Sequence, residues 1–382
     1  MESFKSNFLN RHRRLRVSSK TPNSTIVVNS NKIVLINPLD DRRWDAFVEN
    51  HPYGTIYQHS SWMRVIALTY KHATPLGFVI ENDQGNIRAT IPCFIVKSKL
   101  TGTRIVSLPF TSYCDPLVND KDDFAQLRNE IINRLESNSA SYYEIRVLKC
   151  QDLVSDDRLK CHHYHKTHIL DLSDGFEKVK QAFHKSFVVS SVKKALRCQV
   201  IVREGSSEED LKRFYFIHAI TRKRHGFPIQ PYRLFKNMWE ILYPQGYFTL
   251  LLAELNKIAI AGLILFKFKD TVSIEHAGSI PKYLSSRPNH LLWWRAIEMA
   301  CKEGYHYCDF GKTPTDNQGL LDFKSRWGTK MYDLPYFYYP EVKGAMSLEQ
   351  NDFRHRLLRC VGKYSPLSMA KIVGKIAYHH LG

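Results

Sequence analysis

The sequence predicts an α+β fold in two similar halves, each with a mixed and mostly antiparallel sheet. The chain has 382 residues and is 43% hydrophobic, which is long and apolar enough for two domains. The same order of segments, a meander of β-rich stretches followed by a helix and another strand, occurs before and after residue 171. We therefore predict domains at 25–170 and 171–342, with a disordered basic leader at 1–24 and a basic helical tail at 343–382.

In the first half, local signals set the boundaries of the predicted elements. Acidic residues open a helix at 40–50, and Ser60 can cap a helix that runs to residue 70. A polar turn ending in Gly85 joins two β-rich stretches into a hairpin. The predicted strands of this half lie at 25–28, 32–36, 75–81, 87–96, 103–108 and 142–148, and its last helix lies at 122–137.

The second half repeats this order of elements. Ser207, with the acidic Asp210 three residues later, opens one helix, and Gly304 closes another. Apolar and aromatic runs predict the strands. The predicted helices lie at 176–197, 207–223, 233–242, 289–303 and 319–327, and the strands at 200–204, 247–255, 258–267, 271–279, 305–310 and 331–339.

The net charge of +18 is confined to three segments. Residues 1–22 and 343–382 each carry five more basic than acidic residues, and residues 178–224 carry eight more. Clustered positive charge favours polyanions such as phosphates, tRNA or an anionic membrane surface. For the two tails, the simpler interpretation is solubility or loose membrane contact, whereas 178–224 lies inside the folded region.

The sequence predicts a cytoplasmic location, with at most peripheral contact at the inner membrane face. Its start is basic and polar, and its longest apolar run, at 258–266, is far shorter than the roughly 20 residues of a spanning helix. Eight cysteines without a C-x-x-C pair fit reduced thiols. The histidines at 162–168 could in principle bind a metal ion. The segment alternates like a strand, which would place His165 and His168 on opposite faces, so we assign no metal site.

Three polar side chains and one loop of the second half are candidates for chemistry. The loop at 285–289 runs into a helix N-terminus, where free N–H groups and Arg287 would attract a phosphate-bearing donor. Lys324 could stabilise a developing negative charge, and His276 has a reference pKa suited to a general base. Asp309 ends a buried strand, where it could accept a proton or tie down the next loop. Each also has a structural alternative, such as a capped loop, a solvated lysine or a core histidine.

Other signals are weaker or absent. Arg222 and Lys223 end a helix, where they suit the helix dipole and would also meet a substrate phosphate. His290 is as well suited to packing as to binding. The chain lacks G-x-S-x-G, Walker, G-x-G-x-x-G and H-E-x-x-H motifs, which removes the usual support for hydrolase, NTPase, dinucleotide-binding and zinc-protease functions. It also lacks DNA-reading signatures, so DNA is not an expected partner.

A set of motifs, in order across residues 33–340, resembles FemAB-like transferases of the GNAT superfamily. The loop at 107–117 resembles their slPf…y.gPl motif, and the stretch 183–195 resembles their basic helix. The stretch 289–311 resembles n.ll.w.ai..a...G...fdfG, and 323–328 resembles fK..wG. The nearest subgroup is similar to the CelD/BioF-like acetyltransferase domain, which is often found among extracellular-polysaccharide genes.

This resemblance implies two tandem GNAT-like domains with a cleft between them. It implies transfer of an acyl or aminoacyl group, without metal, to an amine of a cell-envelope or exopolysaccharide precursor. Acyl-CoA or aminoacyl-tRNA would be a co-substrate rather than a permanently bound cofactor. Lys324 would stabilise the reacting carbonyl or a substrate phosphate, and His276 or Asp309 would take the amine proton. The expected donor-binding residues are Arg287, Pro288, Asn289 and His290, and the expected substrate-binding residues are Arg222, Lys223, Tyr113 and Phe323.

The chain departs from the family pattern in two places. It lacks the long helical arm of the bridge-peptide enzymes, and residues 285–289 replace the Q/R-x-x-G-x-G/A loop of acetyl-CoA enzymes. Two alternatives therefore stay open. One is aminoacyl transfer from tRNA of the peptidoglycan-bridge type, and the other is a non-catalytic scaffold or polysaccharide-binding relative.

Overall fold

Twelve strands form one continuous sheet in the part of the chain that the structure describes. The computed structural model describes residues 32–137, 140–341 and 365–380, so the predicted leader, the strand at 25–28 and most of the tail lie outside it. The strands are β1 Lys32–Ile36, β2 Ala73–Glu81, β3 Ile87–Ser98, β4 Gly102–Val106, β5 Tyr143–Arg146, β6 Lys160–Asp171, β7 Ile201–Glu204, β8 Phe248–Leu255, β9 Ile258–Phe268, β10 Thr271–Ser279, β11 Tyr307–Pro314 and β12 Lys330–Tyr339.

Helices cover both faces of this sheet. No described helix is both long enough and apolar enough to cross a membrane. The helices are α1 Trp44–Asn50, α2 Ser60–Thr69, α3 Lys121–Ser137, α4 Gln151–Val154, α5 Phe176–Val179, α6 Ser190–Arg197, α7 Glu208–Arg224, α8 Tyr232–Leu242, α9 Pro288–Lys302, α10 Gln318–Ser325 and α11 Leu367–His380.

The strand order is symmetric about the middle of the sheet. It reads β1-β2-β3-β4-β5-β12-β6-β11-β10-β9-β8-β7, so each half contributes five neighbouring strands and then exchanges one with the other half. Strand β6 pairs with β11, while β12 returns to pair with β5. This order matches the duplication that the sequence suggested. The boundary at 170/171 stays a prediction, because the sheet runs across it without a break.

Each half contains one place where two parallel strands separate. Strands β4 and β5 pair only through two residues each, and β10 and β11 pair only through three. In the second half, pairing ends at Ser273 and Asp309; beyond them β10 continues beside β9 and β11 continues beside β6. A wedge-shaped opening therefore lies between β10 and β11, and its backbone groups are not used by a neighbouring strand.

A shared core fixes the two halves to each other. The ring of Trp62 in α2 lies 5.2 Å from that of Phe266 in β9, and Tyr57 also contacts Phe266 across the same boundary. All three side chains are buried. Because apolar side chains of both halves are removed from water together, the halves form one packed unit.

Two predicted elements differ most from the structure. The strand predicted at 305–310 continues through Gly311 to Pro314, because a bulge between Asp309 and Lys312 lets the chain keep pairing with β6. The single helix predicted at 176–197 is broken: extended backbone at Phe183 and His184 separates α5 and a 3₁₀ turn from a π-helical turn and α6. The side chain of Phe183 is buried there, and the His184 N–H donates to the Arg326 carbonyl.

Candidate active site

A glutamate on a β-bulge faces the opening between β10 and β11. The register of β10 against β9 shifts between Ile274 and His276, so Glu275 is the extra residue of a bulge. Its carboxylate is half-buried and accepts a 2.7 Å hydrogen bond from the Tyr57 hydroxyl. Burial raises the pKa of Glu275 to about 7, and the charge of Asp309 acts in the same direction. A carboxylate with this pKa can both take and release a proton near neutral pH.

Asp309 shapes the other side of the opening. Its Oδ1 accepts hydrogen bonds of 2.8 Å from the Thr167 hydroxyl and from the Gly311 N–H. Gly311 has φ 72°, and a Cβ there would lie 3.2 Å from the Ile274 carbonyl oxygen, so a side chain is disfavoured on both counts. Asp309 therefore holds the bulge of β11, which is the structural role that the sequence left open for it.

Lys324 points its buried amine at the same bulge. Its Nζ donates to the Gly311 carbonyl at 2.6 Å and to the Lys312 carbonyl at 3.5 Å. Only 3% of the residue is exposed, and this burial lowers the pKa of its amine to about 7, against the opposing effect of Asp309. An ammonium has three donors, so one remains for a substrate oxygen.

Aromatic packing explains why the lysine lies there. Phe323 and Trp327, on either side of Lys324 in sequence, pack against Trp293 of α9 with ring centroids 5.2 and 6.1 Å apart. Trp327 also lies 5.2 Å from Phe183. Because these rings anchor α10 and the turn after it, the intervening lysine is directed at β11. Phe323, predicted to bind substrate, is placed by the structure in this packing cluster.

The first half supplies two tyrosines to this region. Tyr57 and Tyr113 are both buried, and their rings meet edge-on at 5.7 Å. Burial raises the pKa of both hydroxyls well above the usual value, with Glu275 and Asp309 respectively adding to the shift. Both phenols therefore stay protonated, and the Tyr57 hydroxyl donates its proton to Glu275.

The loop that carries Tyr113 is held by a buried carboxylate. Asp115 Oδ1 accepts the backbone N–H groups of Leu148, Lys149 and Cys150 at 2.7–3.0 Å. Removing this acceptor would leave buried N–H groups without a partner, which is costly.

We expect Asp115→Ala to lower the free energy of unfolding by about 3 kcal/mol, measured by urea denaturation. The control is Asp122→Ala, because Asp122 is exposed in the first turn of α3 and should cost less than about 0.5 kcal/mol. Equal losses in the two variants would contradict the assigned role of Asp115.

We expect Tyr57→Phe to move the ionisation of Glu275 to higher pH. The hydroxyl of Tyr57 stabilises the ionised carboxylate and so lowers its pKa, against the larger effect of burial. Without it, a larger fraction of Glu275 stays protonated at pH 7, and activity there should fall several-fold. A pH profile separates this effect from misfolding, because the acid limb should move to higher pH, whereas misfolding would lower activity equally at every pH.

The predicted donor-binding residues lie at the start of α9, beside the far end of β10. Arg287 is exposed in the left-handed region, with φ 58°, and no side chain caps the helix. Pro288 has no N–H, so the free donors of the first turn begin at Asn289. The Asn289 amide donates to the Ser279 hydroxyl at 3.3 Å, which fixes the helix start to β10.

His290 was predicted to bind the donor, but its side chain is buried among aromatic rings. It is buried between Phe187 and Phe323, with neither ring nitrogen hydrogen-bonded, and burial lowers its pKa to about 4. His290 therefore packs in the core, which was the alternative to binding in the sequence analysis.

Other predicted site residues do not meet this cluster. His276 packs against His218 and Phe235 instead, and burial holds its pKa well below the usual value. The Arg222 guanidinium bonds to the Pro228 carbonyl and the Tyr378 hydroxyl, at 3.0 and 3.2 Å. Lys223 follows it at the end of α7. The structure thus brings together Lys324, Asp309 and Tyr113, and leaves His276, Arg222 and Lys223 elsewhere.

Sequence reasoning missed the two residues that complete the cluster, Glu275 and Tyr57. The sequence favoured His276 for its reference pKa and indicated no role for the glutamate that precedes it. The bulge at Glu275 and the contact with Tyr57, 218 positions away, leave no pattern in one sequence.

A family model matches the part of the chain that carries this candidate site. Residues 189–325 match the family described as "Acetyltransferase (GNAT) domain". This segment contains Glu275, Asp309 and Lys324. The second half of the chain is thus similar to GNAT acetyltransferase domains. No curated protein is significantly similar to the chain in sequence.

Solved structures extend the likeness to most of the chain. FemX has a TM-score of 0.66 at 19% identity, over 83% of this chain and 99% of its own. L-PGS from Bacillus licheniformis has a TM-score of 0.55 at 13% identity, over 86% of this chain and 98% of its own. A tandem GNAT protein from the clavulanic acid biosynthesis pathway has a TM-score of 0.50 at 10% identity, over 80% and 97%. The predicted α+β fold of two tandem GNAT-like domains is confirmed, as is the resemblance to FemAB-like GNAT proteins.

Proposed function

We propose that the protein transfers an acyl group from a phosphate-bearing donor to an amine of a cell-envelope or exopolysaccharide precursor. The observation that carries this proposal concerns Glu275 on β10 and Lys324 beside the bulge of β11, at the two strands that border one opening. Burial shifts the pKa values of both groups to about 7. Shifts of this size cluster at functional sites. A non-catalytic relative would have no need to bury these groups at such cost.

The proposed reaction is a direct attack of the acceptor amine on the donor's acyl carbonyl. Ionised Glu275 takes the proton from the attacking nitrogen, so that a neutral amide can form. The spare N–H of the Lys324 ammonium, with the backbone freed at the β10–β11 opening, stabilises the negative charge on the carbonyl oxygen. The bond from the acyl carbon to the donor's sulfur or oxygen then breaks. The donor leaves as a thiol or hydroxyl, and the proton that Glu275 took from the amine is returned to it, which restores the ionised carboxylate.

The donor's phosphates would lie at the start of α9. The uncapped N–H groups of the first turn and the exposed Arg287 supply hydrogen bonds and positive charge to an anion there. The Asn289–Ser279 hydrogen bond joins this helix start to β10, the strand that carries Glu275. An acyl-CoA held in this way would extend its acyl end along the opening, and it is the donor we place first.

Aminoacyl-tRNA is a second candidate donor, favoured by a basic surface near the same helix. Helix α6 packs against α9, and Lys193, Lys194 and Arg197 of α6 are exposed. Lys185, in the π-helical turn before α6, is exposed as well. A nucleic acid bound along α6 would contact more cations than one pyrophosphate needs.

Turnover with each donor tests the proposal. The purified protein would be given radiolabelled acetyl-CoA or charged tRNA with a panel of amino sugars and amino-terminated envelope precursors. We expect label in an amide product with one donor, formed at least about a hundredfold more slowly by the Glu275→Gln variant. A steep loss with added salt would mark the tRNA route, because counterions compete with phosphate contacts. No product from either donor would reject the proposal in favour of a non-catalytic role.

A further inference from the structure

One face of the C-terminal helix α11 is fixed to the protein. Ala370, Gly374 and Tyr378, one helical turn apart, are buried. Gly374 lies so close to Ile229 that an added Cβ would come within 2.1 Å of its carbonyl oxygen. The Tyr378 hydroxyl accepts a hydrogen bond from Arg222 at 3.2 Å. The orientation of the helix about its own axis is therefore set by close packing and a polar contact.

The opposite face of the same helix is apolar and exposed. Met369, Ile372 and Ile376 are 52%, 60% and 60% exposed, and their spacing places them on one stripe. Lys375, also exposed, flanks the stripe. The helix contains no aspartate or glutamate. An exposed apolar row with only positive charge beside it is an unusual surface for a protein that stays in water.

We infer that α11 docks on an anionic lipid surface, with Met369, Ile372 and Ile376 in the headgroup region and Lys375 at the phosphates. Amphipathic helices with lysine on the polar side lie in the plane of the interface, and negative lipids attract the lysines. A second copy of the chain suits this face less well, because a two-fold contact would bring the lysines of both copies together. A nucleic acid would use the lysine but leave the apolar row in water.

Vesicle co-sedimentation of the full chain tests this inference. We expect binding to vesicles of phosphatidylglycerol and phosphatidylcholine in equal parts, and little binding to phosphatidylcholine alone. Ile372→Ser/Ile376→Ser should weaken the binding about tenfold or more, because two apolar side chains no longer leave water. Lys375→Glu should weaken it only for the anionic vesicles. The unmodified chain and all variants keep the same basic segments at 1–22 and 343–364, so those segments cannot produce the differences.

The matched control is Ile201→Ser, because Ile201 is 58% exposed on the edge strand β7. It should leave vesicle binding unchanged, and all variants should keep the thermal midpoint of the unmodified chain. The inference is overturned if the unmodified chain fails to bind anionic vesicles, or if the double variant binds them as well as the control does. It is also overturned if light scattering shows a dimer that the double variant abolishes while lipid binding is absent.

Discussion

Replacing Glu275 with glutamine is expected to lower kcat/KM by about 10²–10⁴-fold, the usual contribution of a general base. The same change is expected to stabilise the protein. The folded-state pKa of Glu275 is raised to about 7, so ionisation of this group opposes folding, with a penalty that grows between pH 4.5 and 7 and is full above it. Glutamine carries no such penalty and can still accept the hydrogen bond of Tyr57.

The size of the gain follows from the pKa shift. At about 1.4 kcal/mol per pKa unit, and discounted for partial exposure of the side chain, Glu275→Gln should gain about 1–3 kcal/mol at pH 8. The gain should shrink as the pH falls towards 5. Urea denaturation at the two pH values measures it, and a variant that is inactive because it is misfolded would show a loss instead.

His276→Phe is the matched control for the glutamate, since it changes the next residue of the same strand. It should keep activity within a few-fold, because His276 packs among Phe235 and His218 and does not meet Lys324 or Asp309. A large loss of kcat with the histidine variant and none with the glutamate variant would restore His276 as the base and reject Glu275.

Replacing Lys324 with methionine is expected to lower kcat by about 10²–10³-fold, as for removal of a group that stabilises an oxyanion. Its folded-state pKa is lowered to about 7, so keeping the amine charged opposes folding below pH 7 and ceases to do so above pH 10.5. Methionine removes that penalty but also the bonds to the Gly311 and Lys312 carbonyls. We expect a net gain of about 2 kcal/mol at pH 6, falling to a small loss above pH 10.

Lys324→Arg separates charge from shape at this position. A guanidinium keeps its charge at every pH that the protein tolerates. If the charge of Lys324 is what the reaction uses, the arginine variant should retain more activity than the methionine variant, and should not lose it as the pH rises. Equal losses in the two variants would mean that the lysine acts only by holding the β11 bulge.

Element boundaries set by caps and turns were predictable from the sequence. The pairing of strands that are distant in sequence was less so. The Ser207 cap with Asp210, the hairpin at Gly85 and the stop at Gly304 all lie near the boundaries that the sequence assigned, because capping and turn chemistry act within a few residues. The exchange of β6 and β12 between the halves was not predicted. Which strands pair within a sheet depends on burial across the whole molecule. The local sequence of β6 or β12 does not indicate its partner.

Part of the candidate site was also predictable from the sequence. Lys324 and Asp309 could be found because aromatic residues and glycine flank each of them in recognisable motifs. The structure brings both side chains to the β11 bulge. Glu275 could not be separated from His276, because a β-bulge shifts which residue faces the opening and reference pKa values favour histidine. Burial reverses that preference, raising the pKa of the carboxylate to about 7 and lowering that of the imidazole well below its usual value.

The pH dependence of kcat/KM tests the central claim most directly, namely that an ionised Glu275 and a charged Lys324 act together at the β10–β11 opening. The acid side should rise as Glu275 loses its proton, and the alkaline side should fall as Lys324 loses its own. Because both pKa values are about 7, the profile should be a narrow bell centred near neutrality. The acid limb should be absent in Glu275→Gln and the alkaline limb absent in Lys324→Arg. A profile that is flat from pH 6 to 8, or one whose limbs persist in both variants, would contradict the account.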